Sequence, residues 1–283
     1  MLSAIKILTT FKNDFSGTVW AIFQPAEEKL PGGAKQMIDK GLLKDIHPSV
    51  IIGQHTMPGM ELGKIGVRSG NYMASTDEIY LTLKGKGGHA ALPHEITDIV
   101  LMASELIIKM QQVVSRFVPA AIPTVLSFGK IVANGATNIM PAEVKIEGTL
   151  RMMNEEWRKK VHKKITEIIH SVVATYNADF DLEIRHGYPV LYNDPEATAI
   201  FKKQAIDFLG ENNVLDLDIR MTAEDFAYFS HKVASVFYRI GTGNKRKNII
   251  SPLHSPTFDI DEEIFRFAPG LLANAALTFL KNT

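Results

Sequence analysis

Apolar positions along the chain follow two rhythms, and their order predicts two kinds of architecture. GTVWAIFQ (17–24) and SVIIGQH (49–55) are continuous apolar runs rich in β-branched and aromatic residues, the first bounded by Gly17 and Pro25. Both predict buried strands. Between them GGAKQMIDKGLL predicts a short helix, with Gly32 and Gly33 ahead of it and Gly41 near its end. Strand, helix, strand at this spacing implies a βαβ unit and a parallel sheet. The opening residues, MLSAIKILTTFKND, predict an amphipathic helix with Leu2, Ile5, Ile7 and Leu8 on or near one face. Lys6 interrupts their apolar stretch and no small-residue cleavage site follows, so they do not read as a signal peptide.

From Ser75 the rhythm changes. STDEIYLTLK (75–84) alternates polar and apolar, as a half-exposed strand does. Ile99, Ala103, Leu106, Ile107, Met110, Val113 and Val114 recur at helical spacing behind the capping candidates Thr97 and Asp98. Strands follow over 124–135 and 142–153. Asn154 then opens a helix striped by Trp157, Val161, Ile165, Ile168, Val172 and Tyr176, and DFDLEIRHG (179–187) closes the set as a strand. The order β-α-β-β-α-β is the split βαβ, ferredoxin-like unit. After Pro195 helices over 195–209 and 223–231, a strand over 234–241 and a last helix over 261–281 return to the first pattern. The expected organisation is an α/β catalytic domain over 1–70 and 188–283, with mainly parallel sheet, and a smaller α+β domain inserted over 71–187, as exposed loops tolerate.

A length of 283 residues suits two domains. Lys plus Arg equals Asp plus Glu, 31 each, so no net field points to nucleic acid or an anionic membrane. No apolar run approaches the ~20 residues of a membrane helix. The chain has no cysteine. Disulfides and thiolate ligands are therefore excluded within it, a metal must be held by His, Asp or Glu, and a reducing, cytoplasmic location is the expectation.

Candidate chemistry gathers at the expected C-terminal ends of core strands, where open α/β sheets bind ligands. Glu27 and Glu28 follow the first strand in FQPAEE, His55 follows the second, and His254 lies in SPLHSP after the last. Alone, the glutamate pair reads as solvated charge and each histidine as a hydrogen-bonded structural residue. Together, imidazole and carboxylate from separate strand ends can converge on one divalent ion, Zn²⁺ or equally Mn²⁺, Co²⁺ or Ni²⁺. Two adjacent side chains aimed at one site imply a loop, which Pro25 favours. One carboxylate could then bind metal while its neighbour takes a proton from an activated water.

A second group lies in the inserted block. GKGGHAALPH carries His89, NGATNIMP carries Asn138 between two strands, and Arg151 sits in the next strand. His89 or Asn138 could donate to a developing oxyanion, and Arg151 could clamp a carboxylate. By chemistry alone these residues read first as turn formers and a cross-sheet arginine.

Six ordered stretches, FQPAEEKLPGGAKQMIDKGLL, GQHTMPGMELGKIGVRSG, GKGGHAALPH, GATNIMPAEVKIEGTLR, MTAEDFAYF and LHSPTFDID, resemble the hippurate hydrolase group of metallo-amidohydrolases. Indole-acetyl-amino-acid hydrolases, N-acetyl-diaminopimelate deacetylases, aminoacylases and glutamate carboxypeptidases are its relatives. The resemblance implies a zinc-peptidase-like catalytic domain, hydrolysis of N-acyl amino acids, two divalent ions (Zn, Mn, Ni or Co), and a homodimer formed through the inserted domain. It implies Glu27 as general base, Glu28, His55 and His254 as metal ligands, and His89, Asn138 and Arg151 as substrate-binding residues, with His89 reaching the partner subunit's site. It also implies a Cys-Gly-His-Asp motif, supplying two further ligands, just ahead of the helix that MLSAIKIL matches. The chain as given lacks that motif and the leading core strands, so impaired activity is expected. A di- or carboxypeptidase, or a non-catalytic dimerising protein of the same shape, is the alternative.

Overall fold

The computed structural model describes residues 1–281. The chain divides into two compact units, one formed by Met1–Tyr72, Leu191–Ile219 and the segment from Asp225 onward, the other by Met73–Val190 and Arg220–Glu224.

The first unit opens on helix α1 (Leu2–Thr10), followed by α2 (Gly33–Asp39) and strands β1 (Val50–Glu61) and β2 (Ile65–Val67). The second unit contains β3 (Ser75–Lys84), α3 (Ile99–Gln112), β4 (Thr124–Ala133), β5 (Glu143–Met152), α4 (Glu155–Thr175) and β6 (Asp179–His186). The chain returns to the first unit through α5 (Pro195–Leu209), β7 (Val214–Asp216), β8 (Ala234–Gly243) and α6 (Ala268–Lys281).

In the first unit the sheet runs β1-β8-β2-β7. β1 pairs with β8 in parallel from Val50↔Ala234 to Met57↔Gly241, β8 with β2 antiparallel, and β2 with β7 in parallel. The sheet is thus mixed. Val236, Tyr238 and Ile240 of β8 and Ile65 and Val67 of β2 pack with Phe201 and Ala205 of α5 and Leu271 and Ala275 of α6. The cap of α5 is local chemistry: Asp194 accepts from the Ala197 N–H at 2.9 Å, and Pro195 occupies the first turn, where a missing N–H costs nothing. α1 packs Ala4 and Leu8 against Ala273 of α6 and leaves Leu2 exposed.

The second unit is an antiparallel sheet of order β4-β5-β3-β6 with both helices in its core cluster. That is the strand order of a ferredoxin-like unit. Asp98 caps α3 by accepting from Leu101 N–H, and Asn154 caps α4 by accepting from Trp157 N–H, both at 2.9 Å. The buried stripe of α4 is Val161, Ile165, Ile169 and Val172, so Ile169 takes the innermost place beside a half-buried Ile168.

Three expectations are corrected. Residues 17–24 form no strand. Their composition favours one, but a strand exists only with a ladder partner. None pairs with them among the described residues, β1 is a sheet edge, and Val19, Trp20 and Phe23 are 40%, 60% and 58% exposed. The helix expected over 223–231 shrinks to Ala227–Ser230, because Asp225 is engaged elsewhere, as described below. The last helix splits into a 3₁₀ turn, Glu262–Arg266, and α6, because Pro269 cannot donate the N–H that a continuous helix would need.

Candidate active site

Glu27 and Glu28 lie in an irregular loop between residue 24 and α2. Ala26 adopts φ +52°, which turns the chain sharply after Pro25. The loop closes tightly on itself: a Cβ on Gly33 would sit 1.8 Å from the Pro25 carbonyl oxygen, so only glycine fits there. The two glutamates part company in this loop, Glu27 half-buried and Glu28 exposed. Burial raises the Glu27 carboxyl above its ordinary value, and the negative charges of Glu28 and Asp225 add to the effect. The Asp225 main-chain N–H and the Arg239 guanidinium oppose it. A carboxyl raised in this way is a stronger base than a solvated one.

His254 arrives from the other side of the sequence, in a loop after β8, at φ +61°. Its Nε2 lies 3.7 Å from Glu28 Oε1. Two ligand atoms at ~2.1 Å from one tetrahedral ion would be roughly 3.4 Å apart, so this spacing suits a shared divalent ion. His55 was expected just past a strand end. It instead lies within β1, because pairing with β8 continues through Met57, and its register partner is Arg239. His55 Nδ1 donates to the Thr56 carbonyl at 2.7 Å, which fixes the tautomer whose Nε2 carries the lone pair. Donation from one ring nitrogen to a backbone carbonyl is the usual arrangement of a metal-binding histidine. The ligand atoms of Glu28, His55 and His254 are not gathered as a trio within 4.8 Å.

In the second unit, Gly88 and His89 pair with Met140 and Ile139, and Ala90 N–H donates to the Asn138 carbonyl at 2.9 Å. His89 and Asn138 therefore lie on adjoining, antiparallel segments, and both are exposed. Ala91 N–H donates to His89 Nδ1 at 3.1 Å, which in the neutral ring leaves Nε2–H as a donor. Arg151 is half-buried on β5 between Thr76 and Val125, with no acidic residue directly opposite it on either strand. Burial lowers its pKa while Asp77 and Glu78 favour its charge.

Other residues carry chemistry that periodicity does not reveal. Asp225 is fully buried, accepts from the Gln24 side chain, and accepts from Ala34 N–H at 3.0 Å. Arg239 is also buried and donates to Tyr72 Oη at 3.3 Å. The stretch MTAEDFAYF carries Asp225, yet nothing in its spacing indicates that the aspartate is buried against residues 24–34. In the second unit the ligand atoms of Asp77, His162 and His186 lie within 4.8 Å of one another. Both Asp77 oxygens are already taken, by Arg158 Nη2 at 2.6 Å, Arg158 Nε at 2.9 Å and His162 Nε2 at 2.7 Å. That cluster is a structural ion pair.

Comparison with known proteins identifies the family. Residues 1–277 match the model of peptidase family M20/M25/M40. The chain is 33% identical over 284 residues to the IAA-amino acid hydrolase ILR1-like 4 of Arabidopsis thaliana, covering 99% of this chain and 64% of that protein. It is 33% identical over 242 residues to an N-acetyldiaminopimelate deacetylase of Geobacillus sp. (strain WCH70), covering 85% of this chain and 64% of that protein. The chain thus spans a little under two thirds of the length of both relatives. Among solved structures it superposes with a TM-score of 0.82 and 27% identity on the YXEP protein of Bacillus subtilis, described as a dinuclear metal binding peptidase of the M20 family. That match covers 99% of this chain and 70% of the other. No helix among the described residues is long and apolar enough to cross a membrane.

Proposed function

The chain belongs to peptidase family M20/M25/M40, and on that footing we propose that it serves a metal-dependent amidohydrolase activity on N-acyl amino acids. The observation that carries this reading is the approach of Glu28 to His254 beside a half-buried Glu27 of raised pKa. Glu28, His254 and His55 would hold divalent metal, of which the family's pattern implies two ions, Zn, Mn, Ni or Co. The donor set fits: a carboxylate and two imidazoles, one with its tautomer fixed by Thr56. Divalent metal bound there supplies Lewis-acid activation of water and of the scissile carbonyl.

Glu27 then accepts a proton from the attacking water and returns it to the leaving amine, so that one water is consumed and an acid and an amine are released. Burial favours both halves of that exchange by bringing the carboxyl closer to neutrality. Through Nε2–H, His89 steadies the developing oxyanion, with Asn138 on the adjoining segment. Arg151 holds the substrate carboxylate.

The substrate class is supported by the two relatives, whose names specify an amino-acid conjugate and an N-acetyl amino acid. A homodimer through the second unit is part of the reading. It is supported by Leu101 and Ile108, one helical face of α3 left 56% and 72% exposed. Bound metal by mass spectrometry, together with hydrolysis of hippurate and N-acetyl amino acids, tests the proposal. Neither metal nor turnover would favour the non-catalytic alternative.

A further inference from the structure

Of the residues read above as base and ligands, His55 lies on β1, whereas Glu27, Glu28 and His254 stand on two loops of the first unit, each closed at its foot by one buried aspartate. Asp225, fully buried, accepts with Oδ1 from the Gln24 side chain and with Oδ2 from Ala34 N–H at 3.0 Å. Those two donors are the two ends of the segment that carries Glu27 and Glu28. Gly32 lies so close that a Cβ there would meet Asp225 Oδ2 at 2.6 Å, so the loop is seated directly on this carboxylate.

Asp261 repeats the arrangement on the other side. It is 1% exposed. Its Oδ2 accepts from Asn244 Nδ2 at 2.5 Å, and its Oδ1 accepts from Lys247 Nζ at 2.8 Å and Glu263 N–H at 3.1 Å. Asn244 and Ile249 exchange backbone hydrogen bonds at 2.9 Å, and Asp261 N–H donates to Thr242 O at 3.2 Å. The segment from 249 to 260, which bears His254, is therefore pinched where it leaves and where it rejoins the fold.

Burying a carboxylate is costly unless its oxygens are satisfied, and donors from both loop ends bond to these two. The two residues that approach each other are largely solvent-exposed, Glu28 by 75% and His254 by 72%. Their approach to 3.7 Å is therefore set from the bases of the loops.

We infer that Asp225 and Asp261 are positioning residues, each fastening the two ends of one loop so that Glu28 and His254 are presented to the same divalent ion. This rests on the reading of Glu28 and His254 as ligands. The test is calorimetric titration of the purified chain with Mn²⁺, for wild type, Asp225→Asn, Asp261→Asn, Glu28→Ala and His254→Ala, each first checked as folded by thermal melting. Gln24→Leu and Lys247→Met, which remove one tie apiece, replace either aspartate variant that fails to fold. The expected result is a loss of Mn²⁺ affinity of about tenfold or more in the aspartate variants and their substitutes, alongside a loss in Glu28→Ala and His254→Ala. If Glu28→Ala and His254→Ala weaken Mn²⁺ while the aspartate variants only melt earlier and bind as wild type does, the inference is overturned and the ligand reading stands. If wild type binds no Mn²⁺, or Glu28→Ala and His254→Ala bind as wild type does, the ligand reading fails and the inference with it.

Discussion

Glu28 Oε1 and His254 Nε2, far apart in the chain, lie 3.7 Å from each other on two loops of the same unit. An exposed pair of this kind contributes little to stability by itself. Its significance is chemical, and removing either partner should therefore separate function from folding. Glu28→Ala and His254→Ala are expected to leave the melting temperature close to wild type and to lower bound divalent metal, measured by mass spectrometry after gel filtration. Loss of stability with full metal content would contradict the assignment.

Gly33 faces the Pro25 carbonyl with no room for a side chain. Gly33→Ala must push residues 25 and 33 apart, and overpacking of this kind costs about 1–3 kcal/mol. The expected outcome is a lower melting temperature together with weaker metal binding, because the displaced loop carries Glu27 and Glu28. Gly59→Ala, where a Cβ would meet nothing within 4 Å, serves as the control and should change neither.

Asp77 and Arg158 form a fully buried ion pair in the second unit, with Arg158 also gripping Glu155 at 3.0 Å. Breaking one side leaves an uncompensated buried charge, so Asp77→Ala should cost about 3–5 kcal/mol. The double variant Asp77→Ala with Arg158→Met should be more stable than Asp77→Ala alone, as read by denaturant unfolding of the second unit. A double variant less stable than the single would count against the pair as drawn.

The same carboxylate sets an acid limit. Burial alone would raise the Asp77 pKa, but hydrogen bonds from Arg158 and His162 outweigh it and hold the group at about 2, against 3.8. A depressed folded pKa stabilises the fold above the unfolded value and loses that contribution as pH falls through the folded one. The gap corresponds to roughly 2 kcal/mol, present in full above about pH 4 and gone near pH 2. Acid unfolding curves of wild type and Asp77→Asn should therefore converge across that window. A constant difference would show that Asp77 is not the titrating group.

If His89 serves its partner's site, two inactive variants should complement each other. Mixing Glu27→Gln with His89→Ala should restore activity in verified heterodimers, since one of the two sites then carries both residues intact. Heterodimers as inactive as either parent would exclude sharing of the site.

Much of this was legible in the sequence where the physics is local. The alternation in STDEIYLTLK and the stripe from Ile99 to Met110 report directly on which face is buried, and Asp98 and Asn154 cap their own helices a few residues on. GTVWAIFQ misled because strand propensity is local whereas pairing is not: the segment has the composition of a buried strand and no strand partner among the described residues. His55 was displaced from a strand end to a strand interior for a related reason, since the length of β1 is decided by its register with β8. Glu27, Glu28 and His254 were singled out by their positions after expected strands, of which the one ahead of Glu27 does not form, and by resemblance. Asp225 and Asp261 were not, because what marks them is burial against donors distant in the chain or supplied by a folded loop.

The central claim is that Glu27 is the base of a hydrolytic metal site. The most direct measurement is the rate of hydrolysis of an N-acetyl amino acid by Glu27→Gln, with bound metal quantified on the same sample. A general base is worth about 10²–10⁴-fold. Turnover is therefore expected to fall by at least the lower of those factors while metal content stays at the wild-type level. Turnover equal to wild type in a fully metallated Glu27→Gln would contradict the account.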